Sequence, residues 1–271
     1  MNINEYQNYH ETKTHTPAEF PYNTYVCTIP LNFKSVPLHW HNDAELIVIK
    51  QGHGLITLDL QTIHVEAGDS IFVLPGHLHS IEQFKQERME YENIIFSPSL
   101  LSGRENDLCD QQYLIPLFES RISIATILTP SLPYYQSLHQ AIQAIDDLCS
   151  NPPDGHQLMI KSHLYAFLFT LLSNQTQKDL APTQRTKSLE KLKQIIKYVE
   201  EHYAEQISIE DMAQLSYYST SHFMKFFKTN MNTSFTSYLN DYRLTMAARL
   251  LTTTQNTILE IATQTGFDNL S

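Results

Sequence analysis

The chain has 271 residues, 42% hydrophobic and 17% charged, with a formal net charge of −11. That length exceeds the ~100–200 residues of an ordinary domain, so two domains are expected, and the apolar share excludes an intrinsically disordered chain. The longest strongly apolar run, Leu164–Leu172, is far short of the ~20 residues that cross a bilayer, and the polar opening MNINEYQNYHETKTH has no signal-peptide core.

Three scattered cysteines, Cys27, Cys109 and Cys149, form neither a disulfide framework nor a metal-binding spacing. The expectation is a cytoplasmic protein with no membrane partner. The acidity lies entirely at the front. Residues 1–184 hold nine Lys/Arg against twenty Asp/Glu, and residues 185–271 hold nine against nine. The rear is therefore neutral and lacks the basic excess of many DNA binders, so a DNA-binding role has to rest on motifs.

In chain order, residues 1–19 read as a polar arm. Residues 20–130 contain short β-rich runs, Ala44–Ile49, Leu55–Leu60 and Ser70–Leu74, separated by Gly52, Gly54, Gly68-Asp69 and Pro75-Gly76. Close-spaced strands of this kind predict a sandwich or barrel. Within it, His39, His41 and Glu45 share parity, so on one extended strand they would project to one face, the interior of a small barrel. His53 and His77 read as turn residues near the rim, placed to touch an effector.

Residues 131–174 hold two apolar-periodic segments, Pro133–Cys149 and His156–Leu172, split by Asn151-Pro152-Pro153-Asp154-Gly155; they predict an antiparallel helix pair. Leu164, Phe167, Leu168, Leu171 and Leu172 make the second either a dimerisation surface or a face packed on the chain's own barrel. Residues 175–188 are polar, contain Pro182, and read as a linker.

From 189 onward the pattern is helical. Leu189, Leu192, Ile196, Val199 and Tyr203 lie on one amphipathic face. Ser208-Ile-Glu-Asp211 resembles a capping box opening a short helix through Leu215. Ser219 caps a helix over 220–230, and Thr233 or Ser234 starts a longer one through Leu251. Thr257-Ile-Leu-Glu260 is a second capping box, and the final helix ends at Gly266. These segments repeat at an offset of 49: Ser208 with Thr257, Ile209 with Ile258, Asp211 with Glu260, Met212 with Ile261, Ala213 with Ala262, Tyr218 with Phe267. Two copies of one supersecondary unit, joined by a long helix, are expected.

A helix-turn-helix needs a small residue at the helix crossing, a tight turn, and polar residues along the outer face of its second helix. Ala213 and Ala262 meet the first need, and Gly266 suits the second turn. Tyr217 stands at the matching place in the first copy, so a turn of different form is expected there. Phe223, Phe226 and Phe227 would face the core. Thr220, Ser221, His222 and Lys225 would lie near bases, Lys228 on phosphate, with Ser219 at the helix start.

The stretch ISIEDMAQLSYYSTSHFMKFFKTNMNTSFTSYLNDYRLTMAARLL (207–251), followed by ILEIATQTGFDNLS (258–271), resembles the DNA-binding domain of the AraC/XylS family of bacterial transcription regulators. The resemblance implies two helix-turn-helix units that place recognition helices in successive major-groove segments. Arg243, Ala247 and Leu250-Leu251 match the family's connecting helix. Tyr217 and Asn230-Met231-Asn232 depart from its pattern. The chain stops at Ser271, where the second recognition helix would begin, so a truncated unit with weak or nonspecific DNA binding is expected.

The front of the chain resembles the cupin superfamily. His39, His41, Glu45 and His79 fall on the four positions that hold a divalent metal in cupin enzymes, although the Gly opening the first motif is absent. Three imidazoles and a carboxylate suit Fe, Mn, Ni, Zn or Cu. The alternatives are a relic site or an effector site, since AraC-type barrels hold small effectors such as sugars.

The whole reading is an α+β chain: a cupin-like β-barrel with a helix pair, then an all-α helix-turn-helix domain over 189–271. It is a non-enzymatic transcription regulator that binds double-stranded DNA under a small-molecule effector, dimerises with itself and meets RNA polymerase. No cofactor is required, with a divalent metal in the barrel as the variant. A metal-dependent cupin enzyme and a truncated regulator acting by dimerisation are the competing functions. No phosphate-binding Gly loop, nucleophile elbow or Cys-x-x-Cys motif supports another enzyme class.

Overall fold

The computed structural model describes residues 16–32, 34–103, 107–175, 184–231 and 233–267. Most of the expected arm, much of the linker and residues 268–271 fall outside them. The chain divides into two compact units, broadly the residues up to 175 and those from 184. None of the described helices is long and apolar enough to cross a membrane.

The N-terminal unit is a barrel of β1 (Tyr22–Ile29), β2 (Ser35–His39), β3 (Ala44–Leu58), β4 (Gln61–Glu66), β5 (Ser70–Val73), β6 (His79–Gln83), β7 (Met89–Phe96) and β8 (Ile127–Leu128). All the pairings of β3 are antiparallel. Its first half lies between β5 and β7, and its second half between β4 and β6. The two strands expected at 44–49 and 55–60 are thus one strand. Gly52, expected as a turn residue, sits instead beside a bulge at Ile49/Gln51 with φ +77. A Cβ there would lie 1.8 Å from the Arg88 carbonyl oxygen, so only glycine lets the two strands come this close. His53, expected in a turn, is likewise a strand residue of β3.

Both faces of the first half of β3 are covered, which explains its apolar run Leu46–Ile49. Leu46 and Val48 belong to a core shared with Phe72, Ile94 and the helices α1 (Ile115–Phe118), α2 (Tyr135–Ser150) and α3 (His156–Ser173). Glu45, Ile47 and Ile49 alternate with them and point the other way, into the barrel. α3 settles one open alternative. Leu164, Phe167, Leu168 and Leu171 are buried in their own unit's core, so they are no dimer surface; the exposed apolar side chains of α3 are Leu158, Met159, Tyr165 and Phe169. α2 is also tied to the barrel by an ion network, in which Lys50 of β3 reaches both Glu92 of β7 (2.7 Å) and Asp146.

The C-terminal unit contains α4 (Gln184–His202), α5 (Ile209–Leu215), α6 (Thr220–Met231), α7 (Phe235–Thr253) and α8 (Ile258–Gln264). α4 starts at Gln184, five residues earlier than expected, inside the residues read as linker. Gln, Arg and Lys are good helix formers. Leu192, Ile195, Ile196 and Val199 line its buried face. Ser234 caps α7, whose Phe235, Tyr238, Leu239 and Tyr242 face inward as expected.

The 49-residue repeat holds at atomic level. Both capping boxes form in full, Ser208 with Asp211 and Thr257 with Glu260. Ser216 and Thr265, both fully buried, bond back to the carbonyls of Met212 and Ile261 at 2.7 and 2.8 Å. Tyr218 N–H donates to Ala213 O (2.8 Å) and Phe267 N–H to Ala262 O (2.9 Å), the six-to-one bond of a Schellman turn. The differing turn expected at Tyr217 is therefore corrected. Tyr217 adopts φ +56, the left-handed conformation that Gly266 adopts at φ +81, because the two hydrogen bonds around it require that backbone whatever the side chain.

A left-handed non-glycine residue costs roughly 1–2 kcal/mol, and the Tyr217 side chain is 89% exposed, so it recovers little by burial. Tyr217→Gly is expected to stabilise the C-terminal unit by about 1 kcal/mol. A urea midpoint that stays in place or falls would contradict this.

Candidate DNA interface and barrel donor cluster

α5 and α6 form a helix-turn-helix. Ala213 is buried where the helices pack, and Phe223, Phe226 and Phe227 anchor α6 from beneath. The residues expected on the outer face are there: Ser219, Ser221, His222, Lys225 and Lys228 are exposed and Thr220 is half-buried. The Ser219 hydroxyl accepts the His222 N–H at 3.3 Å and so caps the helix. The His222 ring lies 4.2 Å from that of Tyr218, and Lys191 Nζ lies 3.8 Å from the centroid of the same Tyr218 ring. The face thus presents hydroxyls at a helix N-terminus, an imidazole held by an aromatic ring, and lysines one and two turns further on, a donor set suited to phosphates and base edges.

In the barrel, His39, His41, Glu45 and His79 are all buried, and one ligand atom from each lies within 4.8 Å of the others. His39, His41 and Glu45 do not share one strand as expected. His39 ends β2, His41 lies in the connection that follows, Glu45 is the second residue of β3 and His79 starts β6. β6 pairs with both β2 and β3, and this pairing brings the four together.

Each imidazole is oriented by a backbone carbonyl two residues away: Nδ1 of His39 on Pro37 O (2.9 Å), of His41 on Asp43 O (3.0 Å) and of His79 on His77 O (3.0 Å). A carbonyl only accepts, so Nδ1 carries the proton and Nε2 of a neutral ring carries a lone pair. The Nε2 atoms of His41 and His79 lie 3.0 and 2.9 Å from Glu45 Oε2. Lone pairs at that separation repel unless a positive charge lies among them, either a proton or a metal ion. Burial alone would raise the Glu45 carboxyl, but His79 and His41 hold it well below the usual carboxylate range. The donor chemistry and the outer hydrogen bonds on all three rings fit a divalent transition metal.

A separate, largely apolar cavity of about 450 Å³ lies outside the barrel, against α3, and is lined by Cys109, Tyr113, Tyr165, Leu168 and Phe169 among others.

Among known proteins, the family described as AraC-like ligand binding domain matches residues 31–168, half of the chain. A helix-turn-helix domain family matches residues 212–271. The chain belongs to the AraC-type transcription regulators. It is 26% identical to an uncharacterized HTH-type transcriptional regulator, YdeC, of Bacillus subtilis, over 98% of this chain and 90% of that protein. It is 23% identical to the lactose operon transcription activator of Staphylococcus xylosus, over 82% of this chain and 75% of that protein. Among solved structures, ToxT from Vibrio cholerae aligns over 92% of this chain and 90% of that one, at 14% identity and a TM-score of 0.42. The chain is thus a regulator with a ligand-binding barrel and a helix-turn-helix DNA-binding region.

Sequence reasoning missed several residues of this AraC-type unit. Arg243, matched only by resemblance, donates to the carbonyls of Tyr203 (2.7 Å) and Glu205 (2.6 Å), closing off the end of α4. Gly266 packs on the same spot, and a Cβ there would lie 2.8 Å from Tyr203 O. Ser216 and Thr265 occupy equivalent places at the same offset of 49; a comparison by hydroxyl rather than by identity would have found them.

Proposed function

We propose that this regulator reads duplex DNA with α6, using Thr220, Ser221, His222 and Lys225 near base edges and Lys228 on phosphate, with Ser219 fixing the helix start. The observation that carries this is the exposed polar edge of a helix whose other face is locked by three phenylalanines. The barrel supplies control. His39, His41, Glu45 and His79 hold a divalent metal there, which screens the buried carboxylate and ties β2, β3 and β6 together; alternatively these four residues receive a small-molecule effector such as a sugar. The protein works in the cytoplasm as a non-enzymatic regulator alongside RNA polymerase. As a homodimer it would use the exposed α3 residues Leu158, Tyr165 and Phe169 rather than the buried ones.

The test is a selection of duplex fragments by the full chain, followed by binding measurements on the selected site at several salt concentrations. His222→Ala and Lys225→Ala are each expected to cost about 1–3 kcal/mol and to relax sequence preference. Lys228→Ala is expected to weaken all sites alike and to reduce the salt slope by about one. Wild-type affinity and preference in the His222/Lys225 double variant would sink the assignment. The complete donor set favours a metal-dependent cupin enzyme as the second reading. Turnover that vanishes on chelation, in a screen of oxygenase and isomerase substrates, would establish it, whereas it leaves the two helix-turn-helix units without a purpose.

A further inference from the structure

Three residues that the DNA and barrel sites do not use lie in one hydrogen-bonded line at the barrel rim. Asp59 stands in the two-residue turn between β3 and β4, His77 precedes β6, and Ser120 follows α1. The Asp59 carboxylate bonds His77 Nδ1, and His77 Nε2 lies 2.7 Å from Ser120 Oγ. A carboxylate only accepts, so Nδ1 carries the proton, and Nε2 is left to accept from the serine hydroxyl. The second carboxylate oxygen of Asp59 accepts the Leu78 N–H at 3.2 Å, and Asp59 N–H donates to Leu78 O at 2.8 Å, which fixes the carboxylate against the histidine's own strand connection. Ser120 is exposed, while His77 and Asp59 are each about four-fifths buried. The backbone is left-handed at both Asp59 (φ +45) and Ser120 (φ +58), a conformation that non-glycine residues adopt at a cost.

We propose that Asp59, His77 and Ser120 form a relay that makes Ser120 a nucleophile toward activated carboxylic esters. Nucleophile, base and orienting acid stand in the order and contacts that serine acylation needs. Ser120 Oγ attacks the ester carbonyl carbon and passes its proton to His77 Nε2. The carbon–oxygen bond to the alcohol breaks, and that proton leaves with the alcohol, giving an ester on Ser120.

The same geometry sets the limit. The backbone N–H groups of Ser120, Arg121 and Ile122 all donate to carbonyls of α1, at 2.9 Å to Leu117 and at 2.7 and 3.2 Å to Pro116. They are committed to the helix end and do not face an oxyanion. Such donors each contribute about 10²–10³ in rate. The reaction is therefore one acyl group per chain with slow release, a self-modification rather than rapid turnover.

The test is p-nitrophenyl acetate on the purified full chain, with the acetylation rate of every serine read by peptide mass spectrometry. Ser120 is expected to acetylate about 100-fold or more faster than the other exposed serines of the same molecule, the gain that a positioned general base supplies. His77→Gln is expected to bring Ser120 down to that reference level, and Asp59→Asn to slow it about tenfold or more. A wild-type Ser120 no faster than the reference serines overturns the proposal without any variant. So does a fast Ser120 that is indifferent to His77→Gln, and so does acetate found on His77 or on lysines but not on Ser120.

Discussion

Micromolar zinc, nickel or manganese added to the purified chain is expected to bind at one ion per chain and to raise the melting temperature of the N-terminal unit. The donors come from β2, the connection after it, β3 and β6, so an ion bound there crosslinks segments that are distant in sequence and exists as a site only in the folded state. Ligand that binds only the native state stabilises it by about 2.7 kcal/mol at a hundred times its dissociation constant. In a unit of this size that is about 5–10 °C. Glu45→Ala and His79→Ala are each expected to abolish both uptake and shift. Glu45 is the stronger case, since its Oε2 lies within 3.0 Å of two imidazole nitrogens and its removal deletes the one anionic ligand. Elemental analysis gives the stoichiometry, and calorimetry or circular dichroism gives the shift. A chain that takes up none of these ions and melts at an unchanged temperature would leave protonated histidine as the cation beside Glu45.

Phe227→Ala is expected to destabilise the C-terminal unit by about 3–5 kcal/mol, the usual cost of deleting a buried aromatic ring. Phe227 is fully buried, and its ring centroid lies 5.8, 5.4 and 5.3 Å from those of Phe223, Phe235 and Tyr238. These rings join α6 to α7, so the cavity opens at the seam that holds α6 in place. A unit of under 90 residues has a total stability of ~5–15 kcal/mol, so the variant is expected to lose DNA binding together with most of its thermal transition. Met224→Ala, on the exposed side of the same helix, is the control and is expected to stay within about 0.5 kcal/mol of wild type. Equal denaturation midpoints for the two variants would show that the aromatic seam is not what fixes α6.

The legible features were those whose causes are local. Capping boxes at Ser208 and Thr257, hydrophobic spacing along α4 and α7, and the phenylalanine face of α6 all rest on groups within four residues of one another. They were visible in the residue string and recur in the fold. The strand boundaries were less legible. Gly52 and Gly54 suggested a turn, but the long β3 stays continuous through a bulge, and no local residue announces that Arg88 will press against Gly52. The same holds at Tyr217. Its aromatic side chain argued against a left-handed turn, while its own N–H bond to Gln214 O and that of Tyr218 to Ala213 O imposed one.

By itself, the amino-acid sequence determined the division into an acidic β-rich front and a neutral helical rear, the doubled capped unit, and the chemical types of the barrel donors. Tertiary structure alone decided that His39, His41, Glu45 and His79 meet at one point, that the leucines of α3 turn inward, and that Asp59, His77 and Ser120 line up. The physical reason is range. Caps and periodic faces are satisfied by bonds along one segment, whereas these meetings depend on strand pairing and helix packing between segments tens of residues apart, which no single stretch of chain encodes.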